Sequence, residues 1–211
     1  MKAFDRQAPP AFWIDQVCRW VDLLAKVAPG EKKPGNKLHD WSVQKLTLAD
    51  WFHETVRPRG EGAFCAYCDG LLETQSPKTI DHWVPQEMCF ALALWWGNLF
   101  PACSGCQAAK GTRWSVSWLR PDVDDVEAWI RCDLASGLLE PADGVDEELR
   151  RRIQDTIDGL GLNRKGLSRE RRLIARDLWS ASDPTIERRP SIERLLERAQ
   201  EGPYRFLGLK P

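Results

Sequence analysis

Apolar residues recur at helical spacing in three parts of the chain, and each part is expected to form an amphipathic helix. The first covers residues 11–27 and is followed by Pro29 and Gly30, which end it. The second covers residues 146–160, and the third covers residues 168–179. The positions expected to face the core are Trp13, Val17, Trp20, Val21, Leu24 and Val27 in the first helix, Val145, Leu149, Ile153, Ile157 and Leu160 in the second, and Leu173, Ile174 and Leu178 in the third.

Shorter patterns predict the remaining elements. A helix is expected from Thr47 to just before Pro58, and another follows Pro190. A short strand is expected at residues 79–84, and a hairpin at residues 128–140. The second long helix should close at Gly161, because a left-handed residue is needed there. The chain is therefore divided into an N-terminal helical region at 1–61, a cysteine-containing module at 62–120 and a C-terminal hairpin and helical region at 121–211.

The composition is that of an ordinary globular protein, with 43% apolar and 29% charged residues. The formal net charge of −1 exerts no overall attraction on nucleic acid, so a polyanion site has to come from local clusters of Lys and Arg. No apolar run is long enough for a membrane helix, and the N-terminus lacks the apolar core of a secretory signal. Seven cysteines, an odd number with two close pairs, fit metal ligation better than disulfides. We therefore expect a cytoplasmic protein without membrane contact.

The strongest chemical signal is two Cys-x-x-Cys pairs, Cys65 with Cys68 and Cys103 with Cys106. Two thiolates three positions apart can reach one ion across a tight turn, and two such pairs complete a tetrahedral zinc site. Such a site has no open position for chemistry, so the zinc is expected to be structural. The alternatives are buried cysteines without a metal, or redox chemistry at either pair. The other cysteines lack such spacing and are expected to be ordinary core residues: Cys18, Cys89 and Cys132.

Polar residues suited to metal-assisted hydrolysis lie between and just after the two cysteine pairs. Asp81 offers a hard oxygen suited to Mg²⁺ or Mn²⁺. His82 has an ordinary pKa of about 6.5 and can accept a proton from water. Strand alternation would direct these two side chains to opposite faces, whereas a strand end or bulge would bring them to one site. The polar candidates are completed by Asn98, Gln107 and Lys110. The competing interpretation is that Asp81 and His82 only hydrogen-bond within a zinc-binding scaffold.

Taken in order, Cys65-x-x-Cys68, Asp81-His82-x-x-Pro85, Asn98-Leu99 and Cys103-x-x-Cys106 with Lys110-Gly111 resemble the ββα-metal motif of HNH endonucleases. The resemblance covers about 50 residues. It implies an α+β, mainly helical protein with a treble-clef HNH module built on a four-cysteine zinc site and flanked by N- and C-terminal helices. It also implies roles for the polar residues: Asp81 and Gln107 would hold a catalytic Mg²⁺ or Mn²⁺, His82 would be the general base, Asn98 would tie the loop that orients His82, and Lys110 would lie near the phosphates.

Gln107 departs from this pattern, because the family usually has Asn or His after the last cysteine. Its amide oxygen lies one carbon–carbon bond further out, about 1.5 Å. Gln107 must therefore fold back, bind through water or leave the metal to Asp81. The implied reaction is hydrolysis of a phosphodiester by water that His82 deprotonates. The main alternative is a catalytically weak or inactive, zinc-stabilised module that binds nucleic acid or serves as an adaptor.

A looser resemblance extends beyond the module. Residues 99–106 and 155–164, the latter ending in Leu-Gly-Leu-Asn-Arg, are similar to HNH proteins of Septu-type and retron-associated anti-phage systems. This resemblance implies a defence role beside an ABC/AAA-like ATPase, with DNA preferred to RNA as the substrate. Nine basic residues between Arg150 and Arg176 form either a phosphate-binding face or a solvated helix surface. The Trp-rich first helix and Trp95-Trp96 are either core residues or contacts for a partner or bases.

Overall fold

The computed structural model describes residues 6, 8–9, 11–27, 42–43, 46–47, 64–70, 72 and 78–182. The described part is a mixed α+β structure, as the sequence predicts. None of its helices is long and apolar enough to cross a membrane. The helix predicted from Thr47 lies outside the described residues except for Thr47 itself, which ends a short strand. The helix predicted after Pro190 also lies outside them.

Helices and short antiparallel sheets alternate along the described chain. In chain order the elements are α1 (Ala11–Ala25), β1 (Ser42–Val43), β2 (Leu46–Thr47), β3 (Lys78–His82), β4 (Leu99–Cys103), α2 (Ser104–Lys110), α3 (Val126–Trp129), β5 (Ile130–Asp133), β6 (Leu138–Pro141), α4 (Glu147–Gly159) and α5 (Lys165–Ser182). Two single-turn 3₁₀ helices, Phe90–Leu92 and Trp96–Asn98, lie in the loop between β3 and β4. Three two-stranded sheets are described, each pairing neighbours in sequence: β1 with β2, β3 with β4, and β5 with β6.

The β3–β4 hairpin and α2 form the part of the fold that carries the candidate site. Lys78 pairs with Cys103 at one end of the hairpin, and His82 pairs with Leu99 at the other. Strand β4 is buried along its whole length, so it lies in the interior of the module. Helix α2 begins directly after β4, because the Cys103 sulfur accepts a hydrogen bond from the Cys106 N–H at 3.3 Å and caps the helix. The second cysteine pair therefore lies at a helix N-terminus.

Tryptophan and phenylalanine rings connect the module to its surroundings. Trp83 contacts Phe100 with ring centroids 5.6 Å apart and Trp118 with centroids 6.1 Å apart. Trp13 of α1 lies edge-on to Trp96 at 5.1 Å, and its indole N–H donates to the Leu94 carbonyl. The Trp-rich face of α1 therefore belongs to the core. The prediction is wrong for one member of that face, because Val21 is 50% exposed.

The hairpin and the helix that follow the module form as the sequence predicts. Strands β5 and β6 pair around a turn at residues 134–137. The Asp146 carboxylate caps α4 by accepting from the Leu149 N–H at 2.8 Å. At the other end, Gly161 adopts a φ of 59°, and the Leu162 N–H donates back to the Ile157 carbonyl at 2.8 Å. This is the left-handed helix termination that the glycine predicts.

Helix α5 is longer than predicted, and its expected core face is buried only in part, since Ile174 packs against the core. It begins at Lys165 rather than Ser168, and Leu173, predicted to face inward, is 38% exposed. The buried position is taken by Arg171, whose guanidinium donates to the Gly137 carbonyl at 3.2 Å and the Leu162 carbonyl at 2.7 Å. Arg171 suits this position because it donates to two backbone carbonyls, which are costly to bury unpaired. Apolar periodicity alone does not predict such an exchange.

Two helical glycines differ in what surrounds them, and this difference predicts opposite effects on stability. A Cβ on Gly159 of α4 would lie 2.0 Å from a ring carbon of Trp118, whereas a Cβ on Gly166 of α5 would meet nothing within 4 Å. We expect Gly159→Ala to lower the free energy of unfolding by about 2 kcal/mol through overpacking. Gly166→Ala should leave it unchanged or raise it by up to about 1 kcal/mol. Urea unfolding of the two variants measures both; equal losses would contradict the packing of Trp118 on Gly159.

Candidate metal centre and adjoining polar site

Four cysteine sulfurs form a buried cluster. The Sγ atoms of the two Cys-x-x-Cys pairs all lie within 4.8 Å of one another, and the Cys68 and Cys103 sulfurs are 3.9 Å apart. Tetrahedral zinc–thiolate bonds of about 2.3 Å place neighbouring sulfurs about 3.8 Å apart. The spacing, burial and ligand type therefore fit a structural zinc ion. The cysteines are: Cys65, Cys68, Cys103 and Cys106.

Local backbone geometry brings the first pair into position. The Cys65 N–H donates to the Gly70 carbonyl at 3.0 Å, and the Asp69 N–H donates to the Cys65 carbonyl at 2.9 Å. These bonds close a tight turn that points both sulfurs inward. The left-handed residue of the turn is Asp69, with a φ of 61°. The Ala66 N–H then donates to the Pro101 carbonyl at 2.8 Å and joins the turn to β4.

Burial and mutual contact make the cluster suited to a metal. Side-chain hydrogen bonding with Cys106 and the other cysteines lowers the pKa of the Cys103 thiol, while burial raises the pKa of Cys65. Four thiolates so close together repel one another strongly, so the cluster keeps protons until a cation replaces them. Zinc binding should therefore release protons and stabilise the folded chain. The other cysteines are exposed or half-buried, and the prediction of a core position is wrong for Cys18, which is exposed on α1.

Asp81 is buried beside the zinc-site turn rather than open to solvent. Its Oδ2 accepts a hydrogen bond from the Tyr67 hydroxyl at 2.6 Å and lies 3.1 Å from the Lys110 ammonium. The same ammonium donates to the His82 backbone carbonyl at 2.6 Å. Burial raises the pKa of Asp81, and the positive charge of Lys110 opposes that rise. Asp81 and Lys110 are thus a buried ion pair that joins β3 to α2.

His82 contacts the loop between β3 and β4. Its Nε2 lies 2.9 Å from the Ala93 carbonyl oxygen, which can only accept a hydrogen bond. Nε2 must therefore carry the proton of the neutral ring, and the lone pair is on Nδ1. Burial lowers the pKa of His82, which favours this neutral form. The described contacts of the Asp81 carboxylate and of the His82 ring are thus with different partners, in keeping with their alternation along β3.

Asn98 closes the loop that holds His82. Its Oδ1 accepts from the Val84 N–H at 2.8 Å, and its Nδ2 donates to the Val84 and Leu92 carbonyls, each at 3.0 Å. Asn98 is fully buried, so these bonds are shielded from water. Leu92 precedes Ala93, whose carbonyl contacts His82. One amide side chain therefore positions both ends of the loop and, through it, the imidazole.

Gln107 lies on the same side of α2 as Lys110 and also contacts β3. Its Nε2 donates to the Ile80 carbonyl at 3.3 Å, so the amide folds back against the residue that precedes Asp81. Its Oε1 is the remaining acceptor of the amide. Asp81, Gln107 and Lys110 are thus brought together at the β3–α2 interface, and His82 leads from the end of β3 into the loop.

Much of the basic run in the C-terminal region is engaged within the protein. Arg152 donates to the Ser117 carbonyl, and Arg171 is fully buried. Arg150 and Arg176 lie within ion-pair distance of acids on their own helices. The run is therefore not one uniform phosphate-binding face. Of the neighbouring tryptophans, Trp96 is core and Trp95 is 53% exposed.

Three contributors to the site were not predicted from the sequence. Tyr67 lies between Cys65 and Cys68. A tyrosine between two buried cysteines is expected to face inward, and this is the sequence signal that could have identified it. Arg164, whose Nη1 lies 3.3 Å from the Cys106 sulfur, was noted only within the basic run and at the end of the Leu-Gly-Leu-Asn-Arg segment. The contact of the Ala93 carbonyl with His82 could not be predicted from the sequence, because every residue has a backbone carbonyl oxygen.

No protein-family model matches the chain, and no curated protein matches it. The arrangement of the residues and the motif resemblance are therefore the grounds for a functional proposal.

Zinc content tests the sulfur cluster. We expect the purified chain to hold about one zinc, and Cys68→Ala to lose both zinc and the cooperative unfolding transition, because structural zinc contributes roughly 10–16 kcal/mol in small modules. Elemental analysis and thermal unfolding measure the two effects. Cys18→Ala, which removes an exposed thiol of α1, is the matched control and should keep the zinc. His82→Ala should keep it as well. Retention of zinc by Cys68→Ala would contradict the assignment.

Asn98→Asp tests the closure of the loop with almost no change in side-chain size. The substitution replaces the Nδ2 donor by an oxygen that faces the Val84 and Leu92 carbonyls. We expect the free energy of unfolding to fall by about 3 kcal/mol, since two buried hydrogen bonds are replaced by repulsion. Urea unfolding measures the loss, and an unchanged zinc content shows that the cluster is intact. A stability within about 0.5 kcal/mol of wild type would contradict this role of Asn98.

Proposed function

We propose that the chain is a metal-dependent nuclease of the HNH type that hydrolyses phosphodiester bonds in nucleic acid. The observation that supports this proposal best is the linked geometry of the loop: Asn98 closes it, and the Ala93 carbonyl within it engages His82 Nε2. The β3–β4 hairpin and α2 surround this geometry, and the four-cysteine cluster joins them. The motif resemblance assigns the same residues to a nuclease site.

His82 has the properties that a general base requires. Its proton is on Nε2, so Nδ1 carries the lone pair that can take a proton from water. The contact with Ala93 also restricts rotation of the ring, which keeps the lone pair in one direction. A neutral imidazole is the form that accepts a proton, and burial favours that form. Deprotonated water is the nucleophile that phosphodiester hydrolysis needs.

The donor set near His82 fits a catalytic Mg²⁺ or Mn²⁺ in its chemistry. Asp81 and Gln107 offer a carboxylate and an amide oxygen, which are hard ligands of the kind these ions prefer. Both described contacts of Asp81 are made by Oδ2, so Oδ1 is the oxygen that would bind the ion. Bound there, such an ion would stabilise the charge that develops on the phosphate. Lys110 would add a positive charge beside it.

The substrate and partner are proposed from the resemblance. DNA is the preferred substrate, and the cellular role is defence against phage beside an ABC/AAA-like ATPase. Two basic residues follow the second cysteine pair closely in sequence, Lys110, which is buried, and Arg113, which is exposed. Arg113 is therefore the better candidate for contact with a phosphate approaching from solvent.

Nicking of supercoiled plasmid DNA with Mg²⁺ or Mn²⁺ tests the proposed reaction. We expect His82→Ala to lower the rate roughly a hundredfold or more, because proton transfer by a positioned base contributes at least that factor. The variant should keep its zinc, which separates a catalytic loss from an unfolded module. Met88→Ala, an exposed change in the same loop, is the matched control and should cut at the wild-type rate. Equal rates for wild type and His82→Ala would refute the assignment of the base.

Partner dependence is tested by adding any ABC/AAA-like ATPase that is encoded beside the gene. A wild-type chain that cuts only with this partner supports a nuclease that works as an effector. A wild-type chain that remains inert with every metal, on DNA and RNA and with the partner present, refutes the nuclease proposal.

The second candidate function is a zinc-stabilised module that binds nucleic acid or a protein without cutting. The observation that favours it is the Asp81–Lys110 ion pair, because an ammonium 3.1 Å from the carboxylate competes with a divalent cation. This alternative predicts DNA binding that is unaffected by His82→Ala and by removal of Mg²⁺. A gel-shift titration beside the nicking assay distinguishes the two functions.

A further inference from the structure

Arg164 contacts the cysteine cluster from outside the cysteine-containing module. Its Nη1 and Nη2 both lie 3.3 Å from the Cys106 sulfur, and Nη2 lies 3.9 Å from the Cys103 sulfur. Arg164 is 58 residues further along the chain than Cys106. Two nitrogens of one guanidinium therefore converge on one ligand sulfur, and one of them also approaches a second.

The backbone around Arg164 holds the guanidinium in this place. Arg164 follows the turn that closes α4, and its Nη1 donates to the Gly161 carbonyl at 3.2 Å. Its own carbonyl accepts from the Ser168 N–H at 3.1 Å, at the start of α5. The residue is thus anchored between two helices of the C-terminal region. The Arg164 side chain therefore extends to the sulfurs from a backbone that these hydrogen bonds hold in place.

Gly105 provides the space through which the guanidinium approaches. A Cβ at this position would lie 3.1 Å from Arg164 Nη2, which is tighter than an ordinary contact. Gly105 stands between the two cysteines of the second pair and is itself exposed. The absence of a side chain there lets the planar guanidinium lie close to both sulfurs.

Electrostatics explains why an arginine suits this position. Four thiolates around Zn²⁺ carry a net charge of −2, and a buried charge of that size is costly without compensation. A guanidinium keeps its positive charge at any physiological pH and directs several N–H groups in a fork. N–H groups aimed at a ligand sulfur withdraw charge from it, and such outer partners of metal ligands strengthen metal binding. The positive charge of Arg164 therefore compensates part of the negative charge of the zinc–thiolate cluster.

We propose that Arg164 is part of the metal site, and that the C-terminal region completes the zinc centre of the module through this side chain. Zinc retention then depends on a residue far from the ligands in sequence. Loss of zinc in turn weakens the contact that Arg164 makes between the α4–α5 pair and the cysteine-containing module. This inference concerns the metal centre and does not depend on whether the chain cuts nucleic acid.

Transfer of zinc from the purified full-length chain to the chromogenic chelator 4-(2-pyridylazo)resorcinol tests the proposal. We expect Arg164→Gln to release zinc at least about tenfold faster than wild type, since loss of such outer partners typically costs 10–100-fold in metal affinity. Arg164→Lys keeps the charge but loses the fork and should release zinc at an intermediate rate. Arg151→Gln removes an exposed arginine of α4 and is the matched control, with a wild-type rate expected.

The possible outcomes separate a metal role from a packing role. Equal release rates in wild type, Arg164→Gln and Arg151→Gln would overturn the proposal. If Arg164→Gln is unfolded as purified, its refolding at saturating zinc supports the proposal, whereas failure to refold overturns it, because the arginine would then act in packing. The cobalt-substituted protein gives a second readout: the thiolate-to-cobalt absorption band should shift in Arg164→Lys and stay in place in Arg151→Gln.

Discussion

The convergence of four sulfurs on one point is the constraint on which the rest of this structure depends. It joins a turn at residues 65–70 to the end of β4 and the beginning of α2. Structural zinc contributes roughly 10–16 kcal/mol, which equals or exceeds the roughly 5–15 kcal/mol stability of a typical domain. A module held in this way can place polar groups in its interior that an apolar core of the same size would not support.

The polar groups follow from that constraint. Tyr67 stands between two of the cysteines, so the turn that delivers their sulfurs also delivers a hydroxyl to Asp81. Lys110 ends the helix that begins at the other pair, and its ammonium completes the pairing of the carboxylate. The hydrogen bonds of Asn98 then hold the loop against the end of β3, where His82 lies. The cysteine cluster and the polar groups therefore share the turn at residues 65–70, β3 and α2.

Elements governed by short-range rules were predictable from the chain. Helix α4 was expected from its apolar spacing and the glycine at its end, and both features are present. Strand β3 and the β5–β6 hairpin were expected for the same kind of reason. Local signals failed where a long-range partner changed the outcome. Arg171 is buried in place of Leu173 because carbonyls from two other segments needed donors.

In the candidate site too, the features that depend on local sequence were predictable and the long-range contacts were not. Residue types and their spacing were enough to predict that the four cysteines come together, because ligand chemistry and turn geometry are local properties. The roles of Asp81, His82, Asn98, Gln107 and Lys110 stay predictions that rest on the motif resemblance. The partners of these groups were decided by folding in three dimensions. Arg164 reaches Cys106 across 58 residues, and a backbone carbonyl fixes the proton of His82. No local pattern encodes such contacts, since they arise only when distant segments pack and every buried donor and acceptor has to find a partner.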